Sequence, residues 1–172
     1  MEPLLREATE GDLPAILEIY NDQILNGTAT FHTEPQTLAE RIEWLADLKA
    51  KQYPCLVAVL PDAATGAKRT VGWANLRHYH DRPAYDATAE LSLYIHKDFR
   101  GKRVGEMLLT RLLEEAREQG ERFHVIIASV TSENERTMKF WAERGFELRG
   151  TVKEVGRKFG RWLDVSYFQL IL

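Results

Sequence analysis

The chain reads as an α/β protein with a mixed sheet of about seven strands flanked by about four helices. Three observations predict this. The hydrophobic period switches repeatedly between roughly 2 and roughly 3.6 along the sequence. The clearest period-two stretch, Ala87–His96, puts Ala87, Ala89, Leu91, Leu93 and Ile95 on one face and Thr88, Glu90, Ser92, Tyr94 and His96 on the other. No repeat, low-complexity tract or linker interrupts the 172 residues, so residues 1–172 are expected to form a single domain with a proper core.

The elements follow in order. Arg6-Glu7-Ala8 closes a short first strand, and Thr9-x-x-Asp12 resembles a helix cap. Leu13, Ile16, Leu17, Tyr20 and Ile24 then fall at helical spacing and give one apolar face. Residues Asn26 to Pro35 are small and polar, as in a loop. Thr37-x-x-Glu40 is a capping box, and the helix it starts is expected to turn Leu38, Ile42, Leu45 and Leu48 inward. Strands at Leu56–Leu60 and Val71–Tyr79 flank a polar turn, Asp62–Lys68. After Ala87–His96, a third helix carries Val104, Leu108, Leu109, Leu112, Leu113 and Ala116 and stops at Gly120. Val125–Val130 is apolar throughout apart from Ser129, as in a central strand. Asn134–Arg144 is a short helix ending at Gly145. Phe146–Val155 and Trp162–Leu172 are two last strands around a turn at Gly156–Gly160.

Composition excludes several classes of function. At 44% apolar, 28% charged and a net charge of −3, the chain resembles a soluble globular protein and not a nucleic-acid binder. No apolar run reaches the ~18 residues of a membrane span. The N-terminal residues lack a secretory pattern, so a cytoplasmic protein is expected. The single cysteine, Cys55, sits in an apolar strand pattern and is read as structural. His78 and His80 alternate on a strand, but no further ligand cluster accompanies them, so no metal site is expected.

The chemistry concentrates after Ala87–His96. The strand runs into Phe99-Arg100-Gly101-Lys102-Arg103-Val104-Gly105, and a helix opens at once. Free backbone N–H groups and the positive end of the helix dipole would meet at this turn, which suits phosphate. Arg100, Lys102 and Arg103 surround it. Glu90 lies upstream, where a carboxylate can take a proton from a second ligand.

Arg100–Gly105 resembles the acyl-CoA pyrophosphate loop of the GNAT N-acetyltransferase superfamily. Asn134 with Gly145-Phe146 resembles that superfamily's next motif, in which the asparagine faces the pantetheine arm. Thr28–Pro35, Arg82-Pro83-Ala84-Tyr85, Thr88–Tyr94, Gly145–Gly150 and Gly160–Val165 are similar to the phosphinothricin and methionine sulfoximine acetyltransferase branch. The resemblance implies the GNAT fold, with a mostly antiparallel sheet, acetyl-CoA as cosubstrate and a homodimer. It implies that Leu93, Tyr94, Ile95, Arg100, Gly101, Lys102, Arg103, Val104, Gly105, Asn134, Lys139 and Trp141 hold acetyl-CoA and that Glu90 is the base. Phe31, Trp73, Arg82, Tyr85 and Thr88 would meet a small-molecule amine, with Arg82 clamping a carboxylate. Phe31 and Trp73 equally suit a core. Trp162 and Asp164 would brace the last hairpin or an interface. Two positions depart from the family pattern. Arg103 stands where glycine is usual, and Trp141 where a tyrosine or histidine is, so a side-chain general acid is not expected there.

Acetyl transfer requires a neutral amine. An α-amino group with a pKa near 8 costs only ~1.4 kcal/mol to deprotonate at pH 7, and a lysine-like amine ~5 kcal/mol. A single carboxylate, acting directly or through one water, suits the first better. Backbone N–H groups of Glu90–Ile95 would stabilise the oxyanion if the strand parts from its neighbour. The expected reaction is acetylation of a small amino acid or analogue. An N-acetyltransferase for another amine or a protein N-terminus, and a non-catalytic acyl-CoA sensor, remain open.

Overall fold

The structure, a computed structural model, describes residues 2–62 and 65–172. Ala63 and Ala64, in the expected polar turn Asp62–Lys68, lie outside the described residues. The elements are β1 (Leu4–Glu7), α1 (Leu13–Asn26), α2 (Leu38–Ala50), β2 (Cys55–Pro61), β3 (Lys68–His78), β4 (Thr88–Ile95), α3 (Val104–Glu118), β5 (Val125–Thr131), α4 (Glu135–Ala142), β6 (Glu147–Lys158) and β7 (Arg161–Ile171). The strand order is β1-β2-β3-β4-β5-β7-β6. Pairing is antiparallel for β1–β2, β2–β3, β5–β7 and β6–β7 and parallel for β4–β5. The α/β fold with a seven-stranded mixed sheet and four helices is as expected.

Two compact units can be distinguished. The first comprises residues 1–22, 36–77 and 92–119, and the second residues 23–35, 78–91 and 120–172. Strand β4 contributes to both, Thr88–Leu91 to the second and Ser92–Ile95 to the first.

In the first unit, Ile16, Leu45, Leu56, Val57, Leu76, Leu108 and Leu112 form the core. Asp12 organises the start of α1. Its carboxylate accepts from Arg6 Nη1 (2.7 Å) and Nη2 (2.8 Å), from the N–H and hydroxyl of Thr9 (2.9 Å each) and from Thr70 Oγ1 (2.6 Å). Burial, the largest single influence, pushes its pKa up. Arg6, Thr70 and Thr9 together outweigh this and bring it down to about 2. A carboxylate depressed below its unfolded value stabilises the fold above that value, and the contribution fades as pH falls through the folded one. Asp12→Asn is therefore expected to remove about 2 kcal/mol at neutral pH. It should also flatten the acid limb between about pH 4 and pH 2, as read by urea titration across pH.

Helix α2 corrects one expectation. Its capping box forms, with Thr37 N–H donating to Glu40 Oε2 (2.7 Å) and Glu40 N–H to Thr37 Oγ1 (3.3 Å). The inward face, however, is Arg41, Leu45 and Leu48, while Leu38 and Ile42 are exposed. Arg41 takes the core position because aromatic rings receive its guanidinium, 4.0 Å from the Tyr20 centroid, 4.7 Å from Trp44 and 5.5 Å from Trp73. On α1, Ile19 is buried in place of Leu17, which is only half-buried.

In the second unit, Ile126, Ala128, Val130, Trp141, Phe146, Leu163 and Phe168 form the core. The last hairpin is longer and tighter than expected. Strand β6 continues through Gly156 to Lys158, and the turn shrinks to Phe159 and Gly160, both left-handed at φ 52° and 73°. Two successive left-handed residues match the twist of the paired strands.

Candidate functional site

The first unit carries the phosphate-type cradle. After β4, residues Lys97–Phe99 form one 3₁₀ turn, and α3 begins at Val104. His96 is buried and ties this turn down: Nδ1 accepts from Asp98 N–H (3.3 Å), and Nε2 lies 2.9 Å from Arg69 Nη2. Gly101 and Arg103 are both left-handed, at φ 75° and 63°, with Lys102 between them at negative φ. Alternation of this kind turns successive N–H groups toward one concavity, the geometry of an anion nest. The first N–H to bond back is that of Met107, to Arg103 O (3.1 Å), so the amides of the opening turn of α3 precede any intrahelical partner.

The cations of this segment are placed differently. Arg100 Nε donates to Ile95 O (3.2 Å), and Lys102 Nζ sits 5.1 Å from the Phe99 centroid. The exposed Arg103 guanidinium pairs with Glu106 Oε2 at 3.1 Å. The left-handed backbone at Arg103 explains why glycine suits the position, since only glycine adopts it without steric cost.

Leu93, Tyr94 and Ile95 are half-buried on β4. Gly72 of β3 allows this close approach, because a Cβ there would fall 2.6 Å from Ile95 Cδ1 and 3.2 Å from the Tyr94 carbonyl. Trp73 is buried at 2% exposure, stacked on Tyr94 (4.9 Å, 28°) and edge-on to Tyr20 (6.1 Å) and Trp44 (5.3 Å). Cys55 is buried as well, and burial pushes its thiol up to about 12, which leaves it unreactive.

The second unit carries Glu90. Its backbone lies opposite Ile127, where the parallel register of β4 with β5 ends, although β4 runs on to Ile95 and β5 to Thr131. Ser129 Oγ donates to Glu90 Oε1 at 3.4 Å. Tyr79, His80 and Tyr85 form an aromatic triad with centroids 4.3, 5.0 and 5.7 Å apart. The Tyr79 hydroxyl is held above its ordinary pKa, first by burial and then by Tyr167, Tyr85 and Glu90, which places all three within its electrostatic reach. Thr88 is half-buried on β4. The exposed Arg82 precedes the turn Pro83–Tyr85, its carbonyl accepting from Tyr85 N–H (2.9 Å).

Sequence reasoning missed Ser129, which hydrogen-bonds Glu90, Tyr79, whose hydroxyl feels its charge, and Tyr167, which also acts on Tyr79. Register alone brings Tyr167 opposite Ser129, and no motif marks either.

Asn134 caps α4, its Oδ1 accepting from Thr137 N–H (3.2 Å), which leaves its Nδ2 hydrogens as the groups that can face a ligand. Trp141 is buried against Phe140 (5.0 Å) and Phe146 (5.2 Å), and its Nε1 has no partner. Lys139 is exposed, with Nζ 3.7 Å from Glu143. Phe31 is 40% exposed and lies over Gly156. Among the described residues, no group of three or more His, Cys, Asp or Glu side chains could hold a metal ion. No described helix is long and apolar enough to cross a membrane.

Comparison with known proteins gives the same family. The acetyltransferase (GNAT) domain model matches residues 5–166. An L-methionine sulfoximine/L-methionine sulfone acetyltransferase of Pseudomonas aeruginosa is 40% identical over 173 residues, covering 100% of this chain and 96% of the relative. A crystal structure of a GNAT superfamily phosphinothricin acetyltransferase from Sinorhizobium meliloti in complex with AcCoA superposes with TM-score 0.91 at 33% identity, covering 100% of this chain and 89% of that one. A ribosomal-protein-alanine N-acetyltransferase from Brucella melitensis superposes with TM-score 0.89 at 38% identity, covering 98% and 99% of the two chains. The left-handed amide cradle ahead of α3, the carboxylate upstream on β4 and these likenesses together make the chain a member of the GNAT acetyltransferase family.

Proposed function

We propose that residues 1–172 act as one N-acetyltransferase domain that moves the acetyl group of acetyl-CoA to the amine of a small amino acid or analogue, of the phosphinothricin, methionine sulfoximine or methionine sulfone type. The observation that carries this reading is the composition of β4. One strand holds the Glu90 carboxylate and ends just before the amide nest at Gly101–Gly105.

In this reading the nest, with Arg100, Lys102 and Arg103, binds the diphosphate. Leu93–Ile95, the Asn134 amide, Lys139 and the surroundings of Trp141 receive the rest of the cofactor. Glu90 takes a proton from the acceptor ammonium, directly or through one water. The amine nitrogen then attacks the thioester carbon, and the oxyanion meets N–H groups of β4 past the last residue paired with β5. The C–N bond forms in that attack; on collapse the carbonyl reforms, the C–S bond breaks, a second proton is lost from the nitrogen to solvent, and CoA leaves as thiolate. A thiol pKa near 8.5 makes that departure easy without an acid, so the buried Trp141 is no obstacle. Phe31, Tyr85, Thr88 and Arg82 select the acceptor. Trp73 is read as a further residue of that selection.

The chain is read as cytoplasmic and as a homodimer. Support for the dimer comes from the hairpin β6–β7, where Leu148, Val152, Val155, Phe159 and Trp162 are all exposed on or beside an edge strand. Sedimentation velocity giving only a 19.8 kDa species at micromolar concentration would remove this part of the reading.

The acceptor is tested by thiol release with phosphinothricin, methionine sulfoximine, methionine sulfone, spermidine and an alanine-initiated peptide. Turnover with the free amino acids is the expected result. Turnover with the peptide alone would favour a second reading, protein N-terminal acetylation, which the Brucella melitensis likeness supports.

A further inference from the structure

The geometry points to Lys158, Gly156 and Asp164 as the positioning residues that set Phe31, and through it the acceptor that the enzyme accepts. This inference rests on the acetyltransferase reading above and concerns residues that touch neither acetyl-CoA nor the reacting atoms in it.

Phe31 stands on the segment Gln23–Pro35, which belongs to the second unit. Other residues of that unit hold it. Thr131 Oγ1 donates to Thr28 O, and Thr28 Oγ1 donates to Glu133 Oε1 (2.8 Å). Arg161 forks Glu133 in turn, at 2.5 and 2.9 Å.

Lys158 grips the segment at two points, Thr30 and Gln23. Its Nζ donates to Thr30 O (2.8 Å) and Gln23 O (3.3 Å) and lies 5.1 Å from the Phe159 centroid. The side chain is 4% exposed on a strand whose first nine residues are all exposed, and burial lowers its pKa. No carboxylate among the described residues forms an ion pair with it. Filling space would need only a methionine, without the desolvation cost of an ammonium. What the ammonium adds is several hydrogen-bond donors on one tetrahedral nitrogen, enough to reach the main-chain carbonyls of Thr30 and Gln23 at once.

Gly156 sits two residues upstream and therefore on the same face of β6. A Cβ there would fall 2.1, 2.6 and 2.8 Å from Cε2, Cδ2 and Cζ of Phe31, so the ring rests directly on the strand backbone. Asp164 sets the register that brings this glycine under the ring. Val152 pairs with Val165 and Gly156 with Leu163, so Lys153, Glu154 and Val155 bulge opposite Asp164 alone. Its Oδ1 accepts from the N–H of Glu154, which is left-handed at φ 51°, at 2.8 Å, and its Oδ2 accepts from Lys153 Nζ at 3.0 Å.

The test compares Gly156→Ala, Lys158→Gln, Lys158→Arg, Phe31→Ala and the Gly156→Ala/Phe31→Ala double variant. The probes are the best amine from the acceptor screen and acetyl-CoA. Gly156→Ala and Lys158→Gln are expected to raise KM for the amine by about ten-fold, the scale of one lost charged hydrogen bond, with KM for acetyl-CoA unchanged. Lys158→Arg should restore most of the loss, and the double variant should be no worse than Phe31→Ala. Amine KM values within about two-fold of the parent, equal rises in both KM values, or additive effects of the two substitutions at 31 and 156 would each overturn it. Hydrogen exchange of residues 27–33 reads the anchor without activity. Faster exchange in Lys158→Gln supports it and unchanged exchange overturns it, even if the parent enzyme acetylates none of the amines and the functional reading itself fails.

Discussion

Glu90→Gln is expected to lower kcat by about 10²- to 10⁴-fold while the affinity for acetyl-CoA stays at its parent value. The substitution keeps the shape and one carbonyl oxygen, so Ser129 Oγ still finds an acceptor. What disappears is the capacity to take a proton, and the amine must then reach the thioester without help. Tyr79 gives a second readout. Glu90 is one of the charges that hold its hydroxyl up, so Glu90→Gln should let the Tyr79 pKa fall slightly, visible in an ultraviolet titration. Equal losses of kcat and acetyl-CoA affinity would mean that Glu90 supports the fold of β4 rather than the chemistry.

What sequence reasoning could find follows from how each feature is written in the chain. The cradle is contiguous: a strand, a basic glycine turn and a helix start fall within Leu93–Gly105, so adjacency alone announces it. The surroundings of Glu90 are not contiguous. Ser129 and Tyr167 face each other across β5 and β7, and only the register reveals that.

Helix α2 failed for another reason. Periodicity identifies a helix but cannot choose between two adjacent stripes, and counting Arg41 as polar selected the one with Leu38 and Ile42. The rings of Tyr20, Trp44 and Trp73 make an environment in which a guanidinium is buried. Gly156 misled in a similar way. A glycine late in a strand pattern reads as the turn, whereas here it remains in β6 because Phe31 occupies the space of its side chain. The alternation in β4 holds for Ala89 and Leu91 and fades into half-burial from Ser92 to Ile95, where its register with β5 has already ended.

Gly101→Val should strike the other half of the reaction. Gly101 holds φ 75°, a conformation that costs an L-residue about 1–2 kcal/mol and a β-branched one the most. Relief of that strain turns the Gly101 amide and its successors out of the shared concavity. Acetyl-CoA binding is then expected to weaken by about ten- to hundred-fold by calorimetry, with kcat at saturating cofactor little changed. Arg103→Gly is the opposing control. It removes a side chain from the left-handed region at φ 63°, so the protein should gain about 1 kcal/mol of stability. Its effect on affinity should be small, because the Arg103 guanidinium already pairs with Glu106 while the backbone amide at 103 remains to face the diphosphate. Unchanged acetyl-CoA affinity in Gly101→Val would place the diphosphate elsewhere. A large loss in Arg103→Gly would show that side-chain charge, not the amide nest, holds it.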